Sequence, residues 1–220
     1  MNSLLTAMQL ADSAFPSGMY TLSHGLEGFT QAKAVDARTL PRLLDDLLVH
    51  SVGPGDLTAF ALAHRGEDLI EIESALHATV LVAEVRAASI RTGRQLLDTA
   101  VHSFGGPTIK ELQELVVGKR LRGMQPIVSG VVHRALGVDV REAATGAAFG
   151  FASSFVGAAL RLRVVDHRVA QTVLNGAFPT IERVVDEALA RPIEDIGGCV
   201  PMAEMMSSNH ERAQARLFAT

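Results

Sequence analysis

Eight histidines (His24, His50, His64, His77, His102, His133, His167 and His210), one cysteine (Cys199) and two close carboxylate pairs (Asp45-Asp46 and Glu71 with Glu73) are the residues equipped for metal or acid–base chemistry. A dedicated metal site draws its ligands from clustered His, Cys and carboxylates at short spacings. Here no two histidines lie two, three or four residues apart, and none neighbours Cys199. The carboxylate pairs read as the wet faces of amphipathic helices. There is no glycine-rich loop ending in Lys-Ser/Thr to cradle a nucleotide, and no nucleophile elbow. A small helical enzyme using His24, Glu27 and His210 would need folding to bring those three together. The expectation is a binding protein: not an enzyme, with no cofactor and no metal site.

The elements that would carry a binding surface are helical. The chain has 220 residues, 48% of them hydrophobic but only 5% aromatic, and lacks tryptophan, so its core must come from Leu, Val, Ile and Ala. The net charge of −4 shows no basic stripe of the kind that binds nucleic acid. A single cysteine excludes an internal disulfide and fits a reducing, cytoplasmic setting. Residues 143–160 carry no charge, a stretch of about 27 Å if helical. Most of them are Ala, Gly, Ser and Thr, which reads as a central helix of a soluble domain and not as a membrane span. Within it Gly146, Gly150, Ser154 and Ala158 recur every four residues, a flat face expected to let a neighbouring helix cross tightly, with a subunit contact as the alternative.

Leu40, Leu43, Leu44, Leu47 and Leu48 have helical spacing, with Thr39 as N-cap. Val52-Gly53-Pro54-Gly55 predicts a break, and a new helix from Asp56 to His64. A long helix is expected over 69–101, with Gly93 marking a kink or a close contact. Phe104-Gly105-Gly106-Pro107 stops it, and Thr108 with Glu111 forms a capping box. Further helices are predicted at 108–119, 126–136, 140–162, 167–175 and 180–190. The fold class is all-α, a single domain over 1–220 with about 8–10 helices and no sheet. Arg86, Arg91 and Arg94 read as cations of the long helix that are solvated or paired with a neighbouring acid.

Both ends of the chain carry motifs. Near the start, Ala11-Asp12-Ser13-Ala14-Phe15-Pro16-Ser17-Gly18 ends an apolar lead (Leu4, Leu5, Met8, Leu10) in a shaped loop, and Ser23-His24-Gly25-Leu26-Glu27 restarts a helix. Near the end come Pro201, Ser207-Ser208-Asn209-His210-Glu211 and Arg216-Leu217-Phe218-Ala219-Thr220. Ser208 and Glu211 form a second capping box, Arg212 and Arg216 lie one turn apart, and Met202, Met205 and Met206 add adaptable apolar surface. Either the segment 197–220 packs back on its own core, or it orders on a partner.

These two motifs, in this order, resemble the urease accessory protein UreF family. The resemblance is strongest at 4–34, 84–97 and 197–220 and includes Pro126–Gly137. It departs at Met124-Gln125, where many relatives carry a histidine, and at Val164–Gln171, which lacks the family's glycine-containing turn. The resemblance implies an all-helical, non-enzymatic homodimer bridging a UreD/UreH-like scaffold and the GTPase UreG, in support of nickel insertion into apo-urease, with no nucleic acid or membrane partner. It also favours ordering of the tail on a partner. By position it assigns Tyr20 and Arg216 to the scaffold contact and His210, Glu211, Leu217 and Phe218 to the same tail. Pro16, Gly18, His24 and Glu27 would shape or line the N-terminal surface. The alternative is an all-helical dimeric adaptor or regulator unrelated to nickel.

Overall fold

The computed structural model describes residues 3–12, 15–16, 19–210 and 217–218, and every regular element among them is helical. Apart from two single 3₁₀ turns (Met19–Thr21 and Ile193–Asp195), these are in chain order α1 (Ser3–Ala11), α2 (Leu26–Gln31), α3 (Leu40–Leu47), a π-helical segment (Leu48–Leu57), α4 (Thr58–Arg65), α5 (Leu69–Thr79) and α6 (Ala83–Ser103). They continue with α7 (Pro107–Val117), α8 (Gln125–Ala135), α9 (Val140–Arg161), α10 (His167–Gly176), α11 (Phe178–Ala190) and α12 (Pro201–His210). The expected all-α class is observed.

Apolar side chains bury in two clusters. One joins α3, the π segment, α9, α10 and α11 through Leu44, Leu48, Phe155, Val156, Ile181 and Val185. The other joins α5 to α8 through Ile72, Leu76, Leu96, Ile109, Ile127 and Val131. Helix α4 belongs to both, with Phe60 in the first and Leu62 in the second. Successive residues of a helix point about 100° apart, so one buried helix can serve two cores.

Several local expectations are overturned. The Val52–Gly55 stretch does not break the chain, because α3 runs through the π turn into α4. A wider turn accommodates Pro54, and Thr58 donates its hydroxyl to the Gly53 carbonyl at 3.0 Å. The long helix over 69–101 is two helices, α5 and α6. Val80 and Val82 take extended backbone angles, and the Arg86 guanidinium crosses the gap to the carbonyls of Val80 and Leu81. Thr39 makes no cap bond to α3; Asp36 instead accepts from the amides of Arg38 and Thr39, both at 2.9 Å. The Thr108–Glu111 capping box is not formed, since α7 begins at Pro107 after Gly106 with no side-chain cap. Ser208 lies inside α12, so the second capping box is not a helix start, and Glu211 lies outside the described residues.

Helix α9 has the length and apolar composition of a membrane span. Ala143, Ala144, Ala148, Ala152, Phe155, Val156, Ala158 and Ala159 along it are buried against other helices of the chain. Its flat face is not crossed tightly, contrary to expectation: a Cβ added at Gly150 would meet nothing within 4 Å, and one at Gly146 would only touch Ala11 at 4.0 Å. The close crossing lies elsewhere, where Gly130 of α8 sits against α4 so closely that a Cβ would fall 2.4 Å from the Phe60 carbonyl oxygen. At the end of α9, Arg163 takes the left-handed conformation (φ 58°) that a glycine turn would otherwise supply.

Candidate partner-docking surface

The two ends of the chain meet. Residues His24 (φ 54°) and Gly25 (φ 82°) both turn left-handed, which swings the chain sharply into α2. Ser23 Oγ then accepts from the Glu27 amide at 3.3 Å. That turn places Glu27 in the first helical turn, with the residue only 5% exposed. Its Oε1 accepts from the Leu217 amide at 2.8 Å and its Oε2 from the Phe218 amide at 3.0 Å. A buried carboxylate needs such donors, and these two are backbone groups of the far terminus.

Arg161, in the last turn of α9, completes the contact. Its guanidinium carbon lies 4.0 Å from the Tyr20 ring centroid and 4.3 Å from that of Phe218, so the cation is held between two aromatic rings. The same group donates to the Tyr20 carbonyl at 2.6 Å and to the Gly157 carbonyl at 3.2 Å. Beneath it, His24 Nε2 shares a hydrogen bond with Ser154 Oγ at 3.1 Å, and its ring meets Phe151 edge-on at 4.6 Å. Burial, and then the Arg161 charge, lower the His24 pKa to about 4, so the ring is neutral at physiological pH. Helix α12 lies against α2 across Gly28, where a Cβ would come 2.4 Å from the Met206 carbonyl oxygen.

Of the expected site residues, Tyr20, His24, Glu27, Leu217 and Phe218 are brought into one neighbourhood. Phe218 is buried, whereas Tyr20 and Leu217 are 61% and 65% exposed. Pro16 is exposed in the loop before them. His210 ends α12, and its side chain, with Gly18, Glu211 and Arg216, lies outside the described residues. An enzyme-like assembly of His24, Glu27 and His210 gains no support, since both Glu27 oxygens serve tail amides and His24 serves Ser154. Arg161 and Gly28 escaped the sequence reading, and Ser154 entered it only as part of the flat face of α9, not as a partner of His24. The one signal for Arg161 is its position as the first charge after the uncharged stretch.

Two further polar features stand out. The open face of α9 lines a cavity of about 230 Å³, shared with Asp12, Gln125, His133 and Ser153. His133 donates from Nδ1 to the Ser129 carbonyl at 2.8 Å, and burial holds its pKa at about 4. Among the described residues no three His, Cys, Asp or Glu side chains form a group able to hold a metal ion. Glu73, read from sequence as a wet-face residue, is in fact 1% exposed. It accepts from the amides of Arg122, Gly123 (2.7 Å) and Met124 (2.9 Å), because α5 packs its inner face onto the loop before α8.

The sequence profile of the UreF family matches residues 34–177. The urease accessory protein UreF of Trichodesmium erythraeum (strain IMS101) is 30% identical, over 98% of this chain and 96% of that protein. The chain belongs to the UreF family. Two other members are similar over nearly their whole length. UreF of Paenarthrobacter aurescens (strain TC1) is 29% identical over 97% of this chain and 96% of its own, and UreF 1 of Brucella melitensis biotype 1 is 28% identical over 98% and 92%. The profile ends short of Glu27 on one side and Phe218 on the other, so the contact between the termini lies outside the UreF segment it matches.

Proposed function

We propose that this chain is a non-enzymatic adaptor of urease maturation, working as a homodimer in the cytoplasm. It binds a UreD/UreH-like scaffold through the surface around Tyr20 and the C-terminal tail, and a UreG-like GTPase at a separate surface. The assembly supports GTP-dependent nickel insertion into apo-urease. The observation that carries this reading is the clasp of Glu27 and Arg161 on Leu217 and Phe218. Two amide bonds and one buried ring hold the tail, with Tyr20 and Leu217 left exposed beside it, an aromatic–apolar patch of the kind that anchors partners. Arg216, Glu211 and His210 belong to the same stretch of sequence, and Pro16 and Gly18 are assigned to the same partner-binding surface.

Regulation of the GTPase requires different affinity for its two nucleotide states, since equal binding shifts no equilibrium. The test is co-expression with the scaffold, then size exclusion with light scattering before and after the GTPase is added. Two copies each of chain and scaffold that recruit the GTPase support the reading. A chain that ignores both partners overturns it. Equal affinity for the GTP-analogue and GDP forms of the GTPase removes the regulatory step.

A further inference from the structure

Two of the α6 arginines, Arg91 and Arg94, are part of a built corner. Glu73 accepts from the three amides of residues 122–124, Arg94 Nε donates to the Arg122 carbonyl at 2.8 Å, and Gly93 lies so close that a Cβ would fall 2.2 Å from the Gly123 carbonyl oxygen. These contacts lock the 119–124 loop against α6. The locked loop and helix expose Arg91, Arg94, Lys119, Arg120 and Arg122 together. Arg122 lies 3.9 Å from the buried Glu73, and none of the other four has an ion pair among the described residues. A groove of about 340 Å³ runs between α6 and α7 under Arg94 and Lys119, and Val117 at its edge is 74% exposed. The exposed carboxylates there are Asp98 in the groove and Glu114 one turn before Val117.

We infer that this α6–α7 corner is a docking surface for an acidic protein face, which inserts an apolar side chain beside Val117. The inference rests on the adaptor reading above and gives the charge of the partner surface that meets this corner. Four cations without carboxylate partners, in a chain of net charge −4, concentrate positive potential at one place and steer an anionic partner toward it. The exposed valine favours a protein over a nucleic acid, because no aromatic ring lines the groove to stack a base. The preformed loop spares the ordering cost that a flexible basic segment would pay on binding.

The test uses the full chain carrying Arg91→Glu, Lys119→Glu and Arg120→Glu together. None of these three side chains makes a hydrogen bond or ion pair among the described residues, whereas Arg94 and Arg122, which hold the loop, are kept. Association with the purified UreG-like GTPase and with the purified UreD-like scaffold is measured at low and high salt. For one of them the association rate should fall tenfold or more at low salt, with the difference shrinking at high salt. The matching glutamine variant should give an intermediate loss, which guards against misfolding of the charge-reversed chain. Wild-type rates for both partners in the reversed variant overturn the inference while leaving the adaptor reading intact. A wild-type chain that binds neither partner overturns both. Binding of a single-stranded RNA probe as tight as that of the better partner, lost in the variant, overturns the protein assignment in favour of a polyanion site.

Discussion

Replacing Glu27 with glutamine isolates the contact between the chain termini. The side chain keeps its size, but one carboxylate oxygen becomes an NH2 group facing a backbone N–H, which it cannot serve as acceptor. The two bonds concerned are those from Leu217 at 2.8 Å and Phe218 at 3.0 Å. Charge-assisted bonds of this kind contribute roughly 1.5–3 kcal/mol each. The variant loses one bond and the charge on the other, so the docked tail should weaken by about 2–3 kcal/mol. At about 1.4 kcal/mol per decade this is a roughly 30- to 140-fold rise in opening of the tail. The released amides reach water, so the helical body should lose much less stability than the tail. Hydrogen exchange of the C-terminal peptide, read by mass spectrometry, measures the opening, and a thermal melt measures the body. Glu73→Gln is the control, because that carboxylate holds residues 122–124 and should release that loop alone. Unchanged exchange at Leu217 and Phe218 in Glu27→Gln, or the same change in both variants, would refute the reasoning.

Acid should destabilise the protein in a defined window. His24 and His133 have folded pKa values near 4 against 6.5 in the unfolded chain, so the unfolded state binds more protons between those values, and stability is lost as pH falls through 6.5. Burial pushes Asp56 up to about 6, which acts in the opposite direction and offsets one histidine, leaving a net loss of roughly 3 kcal/mol by pH 4. Chemical denaturation at pH 7, 5.5 and 4 checks this, and a flat profile would contradict it. Gly130→Ala should cost about 2–3 kcal/mol, since its Cβ meets the Phe60 carbonyl oxygen, whereas Gly150→Ala, inside α9 with nothing within 4 Å, should stabilise by about 0.5–1 kcal/mol. Arg216→Ala should weaken scaffold binding by about 2 kcal/mol or more if the tail is the anchor, measured by calorimetry.

The helical class was legible because the leucines at 40, 43, 44, 47 and 48 and the lack of strand alternation report local periodicity, which a chain carries in its own order of residues. The family was legible for the same reason, from motifs at both ends. Other features had no local signal. Val52–Gly55 looks like a break, yet neighbours on both sides bury it and keep it wound as a π turn. Val80–Val82 looks helical, yet Arg86, six and five residues further on, satisfies its carbonyls in an extended form. Glu73 looks solvated until the loop of residues 122–124 arrives with three amides. Glu27 is the same case at greater range, since its partners lie about 190 residues away. Side-chain periodicity is a property of neighbours along the chain, so residue order alone specifies the helices and the motifs at the two ends. The donors for a buried carboxylate, the rings around Arg161 and the crossing at Gly130 come from distant segments, so only their meeting in the fold establishes them.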